Sequence, residues 1–439
     1  MPAYTLSLPA TEPRESRFAA LVRAVDRDVV AMIAVRFAIV AAAGISSVVT
    51  ARYLTPSQRG QYFIVYTLAQ TLAQFGNVGL HSSNTYLVAR DRSLAGALLA
   101  NSIWVALAAG MLGTAIVFCV LRATGGALAG DGIWFVAALA PATLFYLLGV
   151  NLLVGLKRIA SYNRFQLASN YVVLLCLIVA AMLGAGPAGF LAACATGWIL
   201  VSGCLALRLR RGVTSSLAFR PDVFREGFRF ALKAYLATLC GFLIVRGNVF
   251  LLSALNTSAE VGYYSVASQI SEVMGILPQS MALVLFPALV TATGGRFKKT
   301  MRHMAVVAAL MAIGCLAVGL LAEPFVRLVF GERFLPTVPM LRWMLPGVFF
   351  VGLTAMPSQY LAAAGFPLTV VGVWIAGSVV ALGLGRLLIP VASGTGAAMA
   401  LSATHVVVFA SILSLSVVHA RRGAAGARVQ VIPVEGAVS

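Results

Sequence analysis

The chain has 439 residues, of which 60% are hydrophobic and only 10% are charged. A soluble globular domain carries about 25% charged residues, so this composition excludes an ordinary water-soluble protein and indicates a lipid bilayer as the main solvent. The formal net charge of +19 could suggest a nucleic-acid partner, but the cationic side chains are spread between apolar segments, where they act as a topology signal instead.

Residues 1–28 mix acidic and basic side chains without a short apolar core, which predicts a cytoplasmic leader and not a signal peptide. Twelve apolar segments follow, each near the ~20 residues that a helix needs to cross a ~30 Å hydrocarbon core. The fold class is therefore an all-α polytopic membrane protein of about 12 transmembrane helices. The predicted spans are 29–53, 61–88, 94–121, 132–155, 165–184, 188–207, 231–255, 261–290, 304–322, 340–363, 367–389 and 396–418.

The Lys and Arg residues between these spans predict the orientation. When residues at the span ends are counted with the adjoining loop, 23 of the 32 belong to the leader, the tail and the loops of the same side, and 6 belong to the opposite loops. By the positive-inside rule both termini, including the tail 419–439, are predicted to lie on the cytoplasmic side of a bacterial inner membrane. The basic segment 208–230 is predicted to link two halves, 29–207 and 231–418, and to contact anionic lipid headgroups.

Two short segments repeat. The loop after the first span reads LTPSQRGQY over 54–62, and the loop after the seventh reads LNTSAEVGYY over 255–264. Aligning Gly60 with Gly262 also aligns Tyr62 with Tyr264. Because six spans separate the copies, they have the same orientation, which predicts two pseudo-symmetric lobes of six helices related by an axis along the membrane normal.

The second span carries a row of polar side chains within an arc of about 80° on a helical projection. An amide facing lipid would lack hydrogen-bond partners, so this row must face other helices or a water-filled cavity. Each amide alone could be a hydrogen bond between helices, and His81 alone a packing residue; for the row as a whole we predict a substrate-binding cavity lining. Its members are Gln70, Gln74, Asn77, His81 and Asn84.

The aligned loops place two polar residues of the second lobe in matching positions. Gln70 falls on Glu272, and Asn77 falls on Gln279. Glu272 is the only carboxylate well inside a predicted span, where an ionised group costs about 2.5 kcal/mol or more and usually serves function. It is our candidate for ion coupling.

The remaining three cationic residues are arginines that lie inside predicted spans, away from the span ends. Arg246 is near the middle of the seventh span, too deep to reach the surface easily, and needs an anion or a wet cavity. Arg36 could either extend to the cytoplasmic face or line the cleft, whereas Arg386 is placed as an interfacial anchor. Three guanidinium groups against one carboxylate predict an anionic ligand, because guanidinium binds phosphate in a bidentate way.

Several stretches resemble the polysaccharide flippase family, the lipid-linked oligosaccharide transporters of the multidrug/oligosaccharidyl-lipid/polysaccharide exporter superfamily. One departure concerns Asn248, which stands where many relatives have Asp. It removes a possible internal partner for Arg246 and leaves a role of this position in ion coupling open. The stretches that carry the resemblance are 53–62, 244–248, 259–267, 276–287, 324–334 and 359–365.

The resemblance implies two lobes around a cleft that opens alternately to either side. It implies a transporter, not an enzyme, that moves an undecaprenyl-diphosphate-linked oligosaccharide to the periplasmic leaflet. Arg246 and Arg36 would hold the diphosphate, while the amides, with Asn248 and Gln279, would meet the sugars. No cofactor is expected beyond a proton or sodium gradient. Polysaccharide polymerase and glycosyltransferases of the same pathway are expected partners.

Three alternatives stay open. An ion-coupled drug or metabolite antiporter of the same fold would be expected to carry acids in the first six spans, and none is present there. A membrane polysaccharide polymerase or ligase would be expected to present a long outer loop with catalytic Arg or His, whereas the predicted outer loops are short. A scaffold without transport would pack the polar row dry against another helix.

Overall fold

The computed structural model describes residues 27–124, 131–213, 217–291, 294–365 and 367–429. The predicted leader lies almost entirely outside these ranges, in residues 1–26, and the predicted tail lies about half outside them, in residues 430–439. Within the described ranges, every regular element is a helix. The all-α prediction is confirmed.

The first half of the described chain, the N-lobe, contains seven helices. They are α1 Arg27–Tyr53, α2 Pro56–Asn77, α3 Leu80–Arg90, α4 Ala95–Thr124, α5 Gly132–Gly155, α6 Ile159–Met182 and α7 Pro187–Arg211. The second half, the C-lobe, contains α8 Pro221–Leu255, α9 Ser258–Met274, α10 Ile276–Val290, α11 Arg296–Val329, α12 Thr337–Ala363 and α13 Leu368–Val429.

The two repeated loops are tight corners that start a helix in the same way. Thr55 caps α2 through its side chain, with Gln58 completing a capping box and Pro56 in the first turn. Thr257 caps α9 by accepting a hydrogen bond from the backbone N–H of Glu260. Because these helices begin at Pro56 and Ser258, residues that we predicted in loops lie on the first turns of helices.

Two predicted spans are each broken into two helices. The second span ends α2 at Asn77, and Val78 and Gly79 then adopt left-handed backbone conformations with φ of 43° and 78°. The eighth span breaks between α9 and α10 at Gly275. The prediction of one continuous second span is therefore wrong, and its polar row is divided between two helices.

The number of membrane crossings follows from these breaks and one further kink. Ten stretches of the described residues are long and apolar enough to cross a membrane. One of them, Leu368–Arg422, contains two helices that meet at non-helical residues Ala392 and Ser393. The pair α2 and α3 adds another crossing, which gives about twelve. Large apolar side chains are exposed on the outside, such as Trp134 at 71% and Leu183 at 78%, as expected for contact with lipid tails.

The connection between the lobes is shorter than the predicted linker 208–230. Helix α7 continues to Arg211 and α8 begins at Pro221, ten residues before the predicted start. The first part of α8 packs against the N-lobe, because the amide of Asn101 exchanges two hydrogen bonds with the backbone of Arg220, at 2.9 and 3.0 Å. Tyr235 donates to the backbone oxygen of Gln74 at 2.8 Å. Much of the predicted linker is thus helix packed on the other lobe.

The lobes also meet directly where α2 crosses α9. A Cβ atom on Gly60 would lie 1.7 Å from the carbonyl oxygen of Ser258, and one on Gly262 would lie 2.0 Å from the carbonyl oxygen of Pro56. These distances leave no room for any side chain. We call the end of the bundle that contains this crossing and the corners 54–62 and 255–264 the closed end.

Candidate functional site

A cavity of about 710 Å³ lies between the lobes, and we call it the central cavity. Helices α1, α2, α5, α6 and α7 line it from the N-lobe, and α8, α9, the first residue of α10 and Phe330 line it from the C-lobe. Four of the predicted site residues face it. They are Gln70, Gln74, Arg246 and Glu272.

Arg246 and Glu272 form an ion pair at the wall of the central cavity. The guanidinium Nη2 lies 3.0 Å from the carboxylate Oε1, and the side chains are 22% and 47% exposed. Ser268 donates a hydrogen bond to the same carboxylate oxygen at 3.3 Å, and the guanidinium carbon lies 6.0 Å from the ring centroid of Phe63. The ion pair reduces the free-energy cost of holding both charges inside the bilayer. Its partial exposure leaves both groups accessible to a ligand.

Sequence analysis predicted both residues as site residues but did not predict that they form an ion pair. The sequence suggested separate roles for them, and it suggested that Arg246 lacked an internal partner because position 248 is Asn. The carboxylate comes instead from the next helix, α9, which begins at Ser258 after α8 ends at Leu255. The acid and the arginine therefore neutralise one another in the described cavity.

The N-lobe side of the cavity is built on one ridge of α2. Tyr62, Tyr66, Gln70 and Gln74 follow each other at intervals of four residues and all line the cavity, as residues four apart on a helix share a face. The rings of Tyr62 and Tyr66 are parallel, with centroids 6.2 Å apart, and Gln70 donates to the hydroxyl of Tyr66 at 2.8 Å. The interval of four was a signal in the sequence that could have found both tyrosines.

Further polar and aromatic side chains come from helices that we did not single out. The hydroxyl of Tyr146 on α5 donates a hydrogen bond to the hydroxyl of Ser169 on α6 at 3.2 Å. Its ring meets Trp198 of α7 edge to face, with centroids 5.2 Å apart. Asn170 also lines the cavity. These residues add hydrogen-bonding groups and aromatic faces opposite the ion pair.

Arg59 is a second cationic group next to this site, and sequence reasoning missed it. It was counted among the loop residues of the outer side, but it lies in the second turn of α2 and is only 2% exposed. Its guanidinium donates to side chains of both lobes, among them Thr50 at 3.1 Å and Gln269 at 3.0 Å. Both partners line the central cavity, so Arg59 lies just behind the cavity wall at the closed end.

Three residues of the predicted polar row lie away from the cavity. Because α2 ends at Asn77, the chain turns before His81 and Asn84. Asn77 is fully buried and its side-chain oxygen accepts from the backbone N–H of His81 at 3.1 Å. Asn84 donates to Ser102 of α4 at 2.9 Å. The structure therefore gives these three side chains hydrogen bonds within the N-lobe.

Three other candidates are also outside the residues that line the cavity. Asn248 is 1% exposed, and within the described structure neither its side-chain oxygen nor its nitrogen has a hydrogen-bond partner. Gln279 is exposed on α10, beyond the break at Gly275. Arg36 is exposed, one turn before the lining residue Ile39.

Comparison with known families and curated proteins places these features in context. The model of a family described as polysaccharide biosynthesis protein matches residues 49–339. A putative O-antigen transporter from Shigella flexneri is 23% identical over 193 residues, which is 41% of this chain and 46% of that protein. The chain thus matches slightly less than half the length of this curated relative.

Solved structures share the fold. The lipid II flippase MurJ in an inward closed conformation superposes with a TM-score of 0.72 at 12% identity, covering 88% of this chain and 87% of that one. An inward-facing multidrug resistance MATE family transporter of the MOP superfamily gives a TM-score of 0.69 at 17% identity, with 85% and 93% covered. The likeness covers both lobes, and the predicted all-α polytopic membrane fold is confirmed.

Proposed function

The chain belongs to the polysaccharide biosynthesis protein family, and we propose that it is a flippase for an undecaprenyl-diphosphate-linked oligosaccharide. It would carry this lipid from the cytoplasmic to the periplasmic leaflet of the bacterial inner membrane by alternating access. The observation that carries the proposal is the Arg246–Glu272 ion pair on the wall of a cavity between two lobes.

Arg246 supports an anionic ligand that carries more than one acceptor oxygen. A guanidinium offers a planar fork of N–H donors that fits phosphate in a bidentate way. In the resting cavity this fork is neutralised by one carboxylate. A diphosphate, with its higher charge, would compete with Glu272 for Arg246 and displace it.

Displacement gives Glu272 a role in coupling. Its side chain is nearly half exposed, so a coupling cation would reach the carboxylate once the guanidinium has left it. A cation bound there would reduce the repulsion between the carboxylate and the incoming phosphates. Substrate binding and cation binding would then be linked at a single site, which is how an ion gradient would drive the cycle.

The remainder of the cavity suits the other parts of such a lipid. Sugar hydroxyls can exchange hydrogen bonds with Gln70, Gln74 and Asn170, and sugar rings can stack on the aromatic faces of Tyr66 and Trp198. The polyprenyl tail needs no site inside the protein, since the surrounding bilayer already solvates it. A volume of about 710 Å³ accommodates a head group of a few sugar units.

The orientation predicted from the Lys and Arg distribution places the closed end at the periplasmic face and both termini in the cytoplasm. Glycosyltransferases would then supply the substrate on the cytoplasmic leaflet, and a polymerase would consume it on the other. The conformation described here would be the one that precedes release to the periplasmic side.

Depletion of the protein in its own cells tests the proposal. We expect lipid-linked oligosaccharide to accumulate on the cytoplasmic leaflet, to be identified by mass spectrometry, and to be cleared by the wild-type gene but not by one encoding Arg246→Gln. Gln279→Ala, at an exposed position beside the cavity, serves as the matched control and should restore clearance. Depletion without any accumulated lipid-linked sugar would contradict the proposal.

A further inference from the structure

The guanidinium of Arg59 is buried in the closed end with all of its donors engaged. Nε donates to Ser265 at 2.9 Å, and Nη1 donates to Thr50 and to the backbone oxygen of Ser47. Nη2 donates to the hydroxyl of Ser47 at 2.9 Å and to Gln269 at 3.0 Å. Five hydrogen bonds match the five N–H donors of an arginine.

Every acceptor that the described structure gives this guanidinium is neutral. Two aromatic rings complete its surroundings, since the guanidinium carbon lies 5.7 Å from the ring centroid of Phe334 and 6.0 Å from that of Phe330. Aromatic faces attract a cation but do not neutralise it. A buried charge without a counter-ion is costly, so an anion that reached this guanidinium would be bound favourably.

The hydrogen bonds of Arg59 are divided between the lobes. Ser47 and Thr50 belong to α1 of its own lobe, whereas Ser265 and Gln269 belong to α9 of the other lobe. If the lobes separate at the closed end, the bonds to α1 persist and those to α9 break. The donors set free would be Nε–H and one N–H of Nη2, which form one edge of the guanidinium and are spaced for bidentate binding of a phosphate.

Contacts around Arg59 support a separation at this place. The glycine crossing brings bare backbones together without side chains between them. Nearby, Arg52 of the N-lobe donates to the carbonyl oxygen of Val329 at 2.8 Å, and Arg333 of the C-lobe donates to that of Ala51 at 3.1 Å. The first of these hydrogen bonds is exposed and the second is partly buried, so water can replace the first at little cost.

We infer that Arg59 is a second anion-binding residue of the transport path, exposed only when the closed end opens, which receives the lipid diphosphate from Arg246. The inference rests on the proposed function. It assigns a substrate contact to the open state, in which the cavity wall formed by Gln269 and Phe330 has moved away. The same guanidinium that holds the lobes together in the absence of substrate then binds substrate when they part.

A wedge at the glycine crossing makes the inference testable. Gly60→Ala would place a methyl group 1.7 Å from a carbonyl oxygen, so the lobes must move apart. Binding of farnesyl diphosphate to the purified full-length protein in nanodiscs is then measured in the wild-type and Gly60→Ala backgrounds. Arg59→Gln should weaken binding about tenfold or more in the Gly60→Ala background and less than about twofold in the wild-type background.

Arg52→Gln is the matched control. Arg52 also joins the lobes at the closed end but does not line the cavity, so it should change the affinity of the Gly60→Ala protein by less than about twofold. Arg59→Lys keeps the positive charge but lacks the planar fork of N–H donors. It serves as a second variant if Arg59→Gln folds poorly. We expect it to recover only part of the affinity.

Two results would overturn the inference. One is an equal affinity of Gly60→Ala proteins with Arg and with Gln at position 59, and the other is an equal loss from Arg52→Gln. Failure of the proposed function looks different, since the wild-type protein would then bind no diphosphate, or Arg246→Gln would leave its affinity unchanged.

Discussion

Gly60 and Gly262 face each other where the two lobes meet. Neither position has room for a Cβ atom, because the backbone of the opposite helix occupies that space. The hypothetical Cβ of Gly60 lies 3.0 Å from the backbone nitrogen of Gly262, and that of Gly262 lies 3.3 Å from the nitrogen of Gly60. The contact is reciprocal, as expected for residues related by a pseudo-two-fold axis. The same two glycines define the sequence repeat, so the repeat marks the place where the lobes touch.

Alanine at either glycine should open the closed end. A methyl group on Gly60 or Gly262 meets a backbone carbonyl that cannot move aside alone. In a variant lacking the six native cysteines, a cysteine in place of Gln269 should react with a membrane-impermeant maleimide severalfold faster when Gly60 is Ala. Gly203→Ala is the control, because a Cβ there meets no atom within 4 Å. Equal labelling of the Gly60→Ala and Gly203→Ala proteins would argue against a closed end held by close backbone contact.

Glu272→Gln should strengthen diphosphate binding. The wild-type carboxylate competes with the ligand for Arg246, and the amide removes this competition. Because the pair is partly exposed, the gain should be modest, roughly three- to tenfold, while transport driven by an ion gradient is lost. Titration calorimetry measures the affinity, and an affinity of the variant equal to or below that of the wild-type protein would exclude competition between Glu272 and the ligand.

Amides that line the central cavity and amides outside it should differ in function. Gln70→Ala removes a side chain that lines the cavity and holds Tyr66, and it should slow transport of a sugar-bearing lipid severalfold. Gln279→Ala and Asn248→Ser alter residues that do not line the cavity, so transport should stay within about twofold of wild type. Comparable losses in all three variants would mean that substrate reaches surfaces outside the central cavity.

Asn77→Ala should affect stability and not transport. Its side chain accepts from the backbone N–H of His81 and thereby satisfies a donor in the first turn of α3, a role whose loss typically costs 0.5–2 kcal/mol. We expect a lower midpoint of thermal unfolding in detergent and normal transport per folded molecule. A variant with unchanged stability and impaired transport would instead place Asn77 on the substrate path.

Much of the fold follows from the sequence because the bilayer imposes a simple rule on it. A crossing helix must be apolar and about 20 residues long, and this condition locates most spans to within a few residues. This condition did not locate the ends of α8 and α11, because both helices extend through charged residues into the polar interface. Helix formation there depends on packing, such as that of Asn101 on Arg220, and the hydrophobic periodicity of the sequence does not reveal such packing.

The site was less accessible to sequence reasoning for two physical reasons. The polar row was projected on one ideal helix, but Val78 and Gly79 change the chain direction, so only Gln70 and Gln74 reach the cavity. The pairing of Arg246 with Glu272 and the burial of Arg59 both depend on which helices are neighbours. That information lies in the tertiary arrangement and not in the composition of a single span.

The most direct measurement of the central claim is flipping of a fluorescent undecaprenyl-diphosphate sugar in proteoliposomes that contain the purified protein. The wild-type protein should move the lipid between leaflets, Arg246→Gln should reduce the initial rate about tenfold or more, and Arg246→Lys should retain part of it, because it keeps the charge without the fork. A rate for Arg246→Gln equal to that of the wild-type protein would contradict the account.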